Sequence, residues 1–252
     1  ATGVLVVAVG RATRLISSVQ SGTKQYRARF LLGQTSQTDD SSGDVQVSDP
    51  APNVSRDRLE ETLSKWVGRF EQVPPQFSAV KINGRRAYAL ARGGDEVHLE
   101  PRTIEVQRIE VLAWKSPELE LEITCGSGTY IRALARDLGA ALGCGALMAE
   151  LVRTRVGPFG ITGAVSPDVL TAENLRDHLQ PPLVAVAELA RQVCNDEEVV
   201  AIGHGRRVPC RVPRQDNEVQ VALVDAAGNL LAVAEVRPDT GELAPRHVFV
   251  GQ

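Results

Sequence analysis

The sequence predicts an α+β fold, in which helices flank a mixed, largely antiparallel sheet and a small β-barrel-like domain follows. Residues 119–125 alternate apolar and polar side chains, as strands with one buried face do. Residues 131–142 instead place apolar side chains at helical spacing. Beyond about Val193 the chain changes to short apolar runs divided by turn residues, which indicates a separate β-rich domain.

The first part of the chain alternates between strand and helix. Residues 3–10 form a short, valine-rich run bounded by glycines, which predicts a buried strand. Residues 11–20 then carry apolar side chains at helical spacing, namely Ala12, Leu15, Ile16 and Val19. Residues 24–32 return to strand spacing. Their two faces carry Tyr26, Ala28 and Phe30 on one side and Arg27 and Arg29 on the other.

A polar loop is expected at residues 34–43, which are rich in Thr, Ser, Asp and Gln. Ser55 is the predicted N-cap of a helix that ends at Gly68. One face of that helix carries Leu59, Leu63, Trp66 and Val67. The pair Pro74-Pro75 then opens an irregular segment that extends to about residue 101.

The second half begins with strands predicted at residues 104–113 and 119–125. A glycine turn leads from the second strand into a helix whose buried side carries Ile131, Leu134, Leu138 and Leu142. Ser166-Pro167 is a predicted N-cap and first turn of another helical region, which Pro181-Pro182 closes. The tail is expected to hold strands at residues 208–212, 218–224, 230–236 and 246–250, with a hairpin connection at 225–229.

Composition limits the class of protein. No apolar run in the 252 residues approaches the roughly 20 residues that cross a bilayer. No secretory leader is visible, although the chain starts at Ala1 and targeting information ahead of that residue cannot be read. The four cysteines are too far apart for zinc-binding pairs, and we expect them to be reduced thiols of a cytoplasmic protein. They are Cys125, Cys144, Cys194 and Cys210.

The net charge of −3 does not indicate a nucleic-acid binder, but the basic residues are unevenly distributed. Residues 10–30 hold five of them, residues 81–92 hold four and residues 203–215 hold four, in each case without an acid. Phosphate contacts need a local cationic surface and not a basic protein, because salt screens each charge beyond about 10 Å. Solvated surface and RNA-binding surface both remain open interpretations.

The most informative stretch is residues 125–139, where a strand passes through glycines into a helix. Backbone N–H groups are left unpaired at such a helix start. With Ile131 committed to the core, Tyr130 and Arg132 are expected to project near the end of the strand. A solvated arginine and a half-buried tyrosine would explain the same spacing, so the pattern alone does not decide.

Four blocks of the sequence carry a resemblance to a known family. They are A-T-G-V-L at residues 1–5 with G-R-A-T at 10–13, K-Q-Y-R-A at 24–28 with L-G-Q at 32–34 and T-D at 38–39, P-P-Q-F-S-A-V-K at 74–81, and G-T-Y-I-R-A-L-A-R-D-L-G at 128–139. In this order they resemble the TruB family of tRNA pseudouridine synthases. The family patterns are L-D-P-x-A-T-G-x-L, K-x-Y-x-A…L-G-x-x-T-x-T-x-D, P-x-x-[FY]-S-A-[VL]-K and S-x-G-T-Y-I-R-x-L-x-x-D-L-G.

The resemblance implies the pseudouridine synthase fold and conversion of uridine at position 55 of the tRNA T-loop into pseudouridine, without cofactor or metal. In that family an aspartate attacks the flipped-out nucleotide, the glycosidic bond breaks, and uracil rotates and rejoins through carbon. The motif places this aspartate, and a histidine that helps to extrude the base, ahead of Ala1. We therefore expect the 252 residues alone to form no pseudouridine.

The resemblance also assigns roles to residues within the chain. Arg132 is expected to hold the catalytic aspartate in its charged form, because a guanidinium opposes the rise in pKa that burial causes. Tyr26 is expected to pack on the target base and shuttle a proton, although a strand tyrosine in the core would show the same spacing. Tyr130 and Leu151 are expected to wall the uracil slot, with Arg153 as a nearby basic residue.

The resemblance divides the chain into a catalytic domain at residues 1–185 and a PUA-like RNA-binding domain at 193–252. Residues 74–101 form an RNA-clamping insertion, whose expected phosphate contacts are Lys81, Arg85, Arg86 and Arg92. The expected partner is the T-stem-loop of tRNA, bound by a cytoplasmic monomer with no membrane attachment and no obligate protein partner.

Two alternatives compete with this interpretation. A non-catalytic module that binds or folds tRNA would use the same basic residues. Another acid could also serve as the nucleophile, and Asp39, Asp40 and Asp137 are the candidates. We reject all three, because the first two lie in a polar loop where solvated carboxylates are expected and Asp137 lies about 140° around the helix from Arg132.

Overall fold

The structure is a computed structural model that describes residues 2–48, 53–78, 81–82, 85–86, 99–213 and 220–250, with only the backbone described at 81–82 and 85–86. Its α-helices are α1 (Ile16–Ser21), α2 (Arg56–Ser64), α3 (Ile131–Leu142) and α4 (Asp196–Gly203). Short 3-10 helices lie at Gly10–Leu15, Ile161–Gly163, Pro167–Val169, Leu175–His178 and Pro182–Val186.

The strands, in chain order, are β1 (Thr2–Gly3), β2 (Lys24–Leu32), β3 (Gln34–Thr35), β4 (Gln46–Val47), β5 (Gly68–Gln72), β6 (Lys81–Ile82), β7 (Arg85–Arg86), β8 (Arg102–Lys115), β9 (Glu118–Cys125), β10 (Ala146–Val156), β11 (Phe159–Gly160), β12 (Ala190–Val193), β13 (Val208–Pro209), β14 (Gln220–Val224), β15 (Leu230–Arg237) and β16 (Glu242–Val248). The chain forms two compact units, one of residues 1–5 and 21–162 and the other of residues 6–20 and 163–252.

The first unit is built on a seven-stranded sheet with the order β1-β10-β2-β9-β8-β5, and β11 pairs with β10. The β1–β10 pair is parallel, and the other pairs of this sheet are antiparallel. One face carries the core, in which Phe30 and Leu121 of the sheet pack with Leu59 of α2 and Leu134 of α3. The predicted α+β class with a mixed, largely antiparallel sheet is confirmed.

Residues 3–10 do not form the buried strand that was predicted. Only Thr2–Gly3 pairs with β10, and the N–H of Val4 donates one further bond to the carbonyl of Arg153. Residues 5–10 are not buried, and Leu5 and Val7 are 75% and 72% exposed. A glycine-bounded valine run is therefore not sufficient to specify a strand here.

The second unit holds a five-stranded sheet with the order β12-β14-β15-β16-β13. The predicted hairpin between β14 and β15 is confirmed, and Asp225 and Asn229 close it. Leu15, from the helical segment predicted at residues 11–20, packs in this unit against Val186 and Val233. None of the helices in the described ranges is long and apolar enough to cross a membrane.

Candidate active site

Arg132 lies in the first turn of α3, and its guanidinium is held by three acceptors from distant parts of the chain. Nη1 donates to the carbonyl oxygen of Thr38 at 3.1 Å and to the carboxylate of Asp40 at 3.0 Å, and Nη2 donates to the carbonyl oxygen of Phe77 at 2.8 Å. The side chain is 23% exposed. A guanidinium has five N–H donors, so the described residues leave the Nε–H and one Nη2–H for a further acceptor.

The start of α3 is fixed by a buried glutamine that the sequence analysis did not identify. Gln72, at the end of β5 and 2% exposed, accepts from the N–H of Tyr130 at 2.9 Å. Its amide also donates to the carbonyl oxygen of Tyr130 at 3.1 Å. Tyr130 is the N-cap residue of the helix, in extended conformation and without a side-chain cap. The glutamine therefore pairs the N–H of the N-cap residue itself, a donor that has no partner within the helix.

Asp40 lies in the polar loop of residues 34–43 and has many hydrogen-bond partners. Its carboxylate accepts from the hydroxyl of Thr38 at 2.7 Å, and from both the N–H and the hydroxyl of Ser42, in addition to Arg132. Burial acts to raise the pKa of Asp40, but these hydrogen bonds and the Arg132 charge outweigh it and lower the pKa. The expectation of a solvated carboxylate is wrong for Asp40, whose side chain is 18% exposed.

Asp39 has a separate arginine partner. Its carboxylate accepts from Nη1 of Arg136 at 3.1 Å, and its side chain is 14% exposed, so the expectation of a solvated carboxylate is wrong here too. Burial raises the pKa of Asp39, and the nearby Arg136 reduces that rise. Arg136 also donates to the carboxylate of Asp137 and to the carbonyl oxygen of Val73. Two neighbouring acids of the loop thus pair with two arginines of α3.

Tyr26 and Arg153 lie opposite each other on β2 and β10. The hydroxyl of Tyr26 contacts Arg153, and burial raises the pKa of that hydroxyl despite this contact. The Nε of Arg153 also donates to the carbonyl oxygen of Val4 at 2.7 Å. Leu151 lies opposite Ala28 on the same strand pair. These positions place a half-buried aromatic ring, a cation and an apolar side chain on adjacent strands.

Two of the predicted site residues pack against one hydrophobic core. Tyr26 and Leu151 pack against the core to which Ile131 belongs, and Tyr130 and Arg132 flank Ile131 in the chain. Cys125 of β9 lies opposite Lys24 of β2, and burial raises the pKa of the Cys125 thiol to about 11. In the described part of the chain no three His, Cys, Asp or Glu side chains group to hold a metal ion.

The basic residues of the acid-free runs have different surroundings. Lys81, Arg85 and Arg86 belong to the two-stranded β6–β7 hairpin, and Arg92 lies outside the described residues. Arg27 forms an ion pair with Glu120 at 3.0 Å, and Arg29 forms ion pairs with Glu118 and Glu150. The charge of the run at residues 10–30 is therefore partly balanced within the sheet.

Comparison with known proteins identifies the family. The family model for the N-terminal domain of TruB family pseudouridylate synthases matches residues 1–131. The model for the tRNA pseudouridylate synthase B C-terminal domain matches residues 132–189. The chain belongs to the TruB family. The resemblance that four sequence blocks indicated is thereby confirmed over the first 189 residues.

Curated TruB relatives align with nearly the whole chain. The tRNA pseudouridine synthase B of Dehalococcoides mccartyi is 39% identical over 255 residues, which cover 99% of this chain and 84% of that protein. The tRNA pseudouridine synthase B of Cutibacterium acnes is 40% identical over 248 residues, which cover 95% of this chain and 80% of that protein. Both alignments therefore extend beyond the residues that the family models match.

A solved structure shares the architecture of this TruB-family chain. The crystal structure of a Cbf5-Nop10-Gar1 complex contains a chain that is 26% identical, with a TM-score of 0.74. The alignment covers 98% of this chain and 73% of that chain. The fold predicted from the resemblance is thus found in an experimentally determined structure.

Proposed function

We propose that the protein isomerises uridine to pseudouridine at position 55 of the tRNA T-loop. Its nucleophile is the aspartate that the family motif places ahead of residue 1. The observation that carries this proposal is the Arg132 guanidinium, which is held by Thr38, Asp40 and Phe77 and has two N–H donors that no described residue accepts. The family names of the relatives, which are tRNA pseudouridine synthases, support the same reaction.

Arg132 keeps the nucleophile ionised. A carboxylate beside a stacked base is shielded from water, which raises its pKa and weakens it as a nucleophile at neutral pH. The remaining Nε–H and Nη2–H of Arg132 can donate to such a carboxylate. Because Asp40 and two carbonyl oxygens already orient the guanidinium, no reorganisation is needed when the nucleotide enters.

Tyr26 and Leu151 provide the surfaces for the extruded base. The half-buried ring of Tyr26 can stack on uracil, an interaction that contributes about 1–3 kcal/mol per base. Arg153 contacts the Tyr26 hydroxyl and so orients the ring and the proton that it can shuttle during rearrangement. Tyr130, fixed by Gln72, forms a further wall of the uracil slot.

Two other parts of the chain bind the tRNA. Residues 74–101 form the clamping insertion, in which Lys81, Arg85, Arg86 and Arg92 contact phosphates without reading sequence. The five-stranded sheet of the second unit serves as a PUA-like RNA-binding domain. We expect a cytoplasmic monomer that needs no other protein to bind the T-stem-loop.

The proposal is tested with the gene product that carries the upstream motif and with tRNA transcripts labelled with tritium at C5 of uridine. Tritium is released when C5 becomes bonded to the ribose. We expect release equivalent to one uridine per tRNA, and no release from a transcript in which uridine 55 is replaced by cytidine. Binding of tRNA without release would instead support the module that only binds or folds tRNA. Equal release from both transcripts would contradict position 55.

A further inference from the structure

Arg132 and Arg136 lie four residues apart on α3 and therefore on one face of the helix. Each of them contacts the same two segments of the chain. Arg132 reaches Asp40 and the carbonyl oxygen of Phe77, while Arg136 reaches Asp39 and the carbonyl oxygen of Val73 at 2.8 Å. The second arginine thus repeats, one helical turn further on, the contacts that orient the first.

The backbone of Asp39 shows why this second set of contacts matters. Among the residues that the structure describes, Asp39 is the one non-glycine residue with a left-handed backbone, with φ of 58°. Such a conformation costs of order 1–3 kcal/mol for a non-glycine residue and persists only where its surroundings enforce it. The N–H of Met148 donates to the Asp39 carbonyl, and the N–H of Ser41 donates to the Met148 carbonyl. The loop is therefore docked on β10 on both sides of Asp40.

Two adjacent carboxylates could compete for Arg132. Asp39 and Asp40 follow each other in the chain, and both are mostly buried. Without Arg136 the Asp39 carboxylate would lack its ion-pair partner, and a buried unpaired charge is costly. Arg132 is the other arginine whose charge acts on Asp39. While Arg136 pairs with Asp39, Asp40 is the only described carboxylate that forms an ion pair with Arg132.

We propose that Arg136 and Asp39 are positioning residues for the reaction. Their ion pair keeps Asp40 as the acidic partner of Arg132 and so fixes the orientation of the Arg132 guanidinium. This inference rests on the proposed function, because it gives that orientation a catalytic purpose. Arg136 is not expected to contact the substrate. It acts through Asp39, the loop and Arg132, and through Val73 at the base of the segment that begins with Pro74-Pro75.

The experiment measures single-turnover rate and tRNA dissociation constant for Arg136→Gln, Asp39→Asn and the double variant of the full gene product. Each single change is expected to slow the reaction about 10- to 100-fold, because misplacing a catalytic group by 1 Å costs about that much. Affinity for tRNA should change less than about threefold, as expected when only transition-state interactions are lost. The double variant should be no slower than the slower single variant, because both changes break one pair.

Two further variants separate positioning from general damage. Arg136→Lys keeps the charge but not the planar fork, so an intermediate rate is expected. Arg56→Gln removes an exposed i,i+4 pair with Glu60 on α2 and should leave the rate unchanged. Rates of Arg136→Gln and Asp39→Asn equal to wild type would overturn the inference, as would additive losses in the double variant or equal losses in rate and affinity.

A readout without catalysis keeps this inference separate from the proposed function. Amide hydrogen exchange at Ser41 and Met148 reports the docking of the loop on β10. Arg136→Gln should accelerate exchange at both amides, and Arg56→Gln should not. Should wild-type protein form no pseudouridine, the proposed function fails while the exchange rates still decide whether Arg136 positions the loop. Unchanged exchange in Arg136→Gln would mean that it does not.

Discussion

The guanidinium of Arg132 lies 3.0 Å from the carboxylate of Asp40, a residue 92 positions earlier in the chain. Three further donors, from Thr38 and Ser42, also reach the Asp40 carboxylate. Both partners of this ion pair are held by further hydrogen bonds, so the orientation of the Arg132 guanidinium is fixed. The N–H groups of Arg132 that no described residue accepts therefore have a fixed direction. The proposed reaction depends on that direction.

Stability at low pH should depend on Asp40. Its pKa is lowered in the folded protein, so the ionised form stabilises the fold above the unfolded pKa, and this contribution is lost as pH falls through the folded pKa. Asp40→Asn should therefore flatten the loss of stability below about pH 4. The measurement is the free energy of unfolding by denaturant at pH values from 7 to 3.

Asp39→Asn is the matched control for that measurement. The pKa of Asp39 is raised in the folded protein, so its protonation favours the fold as pH falls. Removing Asp39 should steepen the loss of stability in acid, opposite to the effect of Asp40→Asn. Identical pH profiles for the two variants would show that the surroundings assigned to the two carboxylates are incorrect.

Gln72→Leu should destabilise the first unit by about 1–3 kcal/mol, because it leaves the buried N–H of Tyr130 without an acceptor. The carbonyl of Tyr130 would still accept from the N–H of Leu134, so one backbone group and not two loses its partner. Chemical denaturation of wild-type and variant protein provides the check. Gln76→Leu, at an exposed position nearby, is the control and should cost less than about 0.5 kcal/mol.

Tyr26→Phe should slow pseudouridine formation about 100-fold or more while tRNA affinity stays near that of wild type. The ring and its stacking surface remain, and only the hydroxyl that contacts Arg153 is lost. Because burial raises the pKa of Tyr26, its ionisation should not reduce wild-type activity between pH 6 and about pH 9. Single-turnover rates across that range test both statements, and a variant as fast as wild type would leave the hydroxyl without a role.

Neutralising Lys81, Arg85 and Arg86 together should weaken tRNA binding and leave the rate on bound tRNA nearly unchanged. Removing one contact to a phosphate should reduce the slope of log K against log salt by about one unit or slightly less. Filter binding at several salt concentrations measures that slope. An unchanged slope would show that these three residues do not contact phosphates.

Regular segments of the fold could be predicted because their periodicity is unbroken. The alternation in β9 is complete, with Leu119, Leu121, Ile123 and Cys125 all buried. β10 was not predicted, although it lies between β1 and β2 in the sheet. Its register shifts between Met148 and Glu150 and again between Arg153 and Arg155, so the pattern of period two is interrupted twice.

Only part of the site could be predicted from the sequence, because its contacts join residues that are far apart in the chain. Arg132 was identified by its motif, but its partner Asp40 is 92 residues away and was dismissed as a loop acid. Gln72 gave no local signal, because its role exists only when β5 meets the start of α3. The pattern that could have indicated the network is the pair of arginines at i,i+4 on α3 together with two adjacent aspartates in the loop.

Arg132 is proposed to act on the chemistry and not on tRNA binding. The decisive variant is Arg132→Ala in the full gene product, with single-turnover rate and tRNA dissociation constant measured on the same preparation. We expect a rate at least about 100-fold lower with affinity changed less than about threefold. Losses of equal size in rate and affinity would contradict this role, and would make Arg132 a backbone clamp.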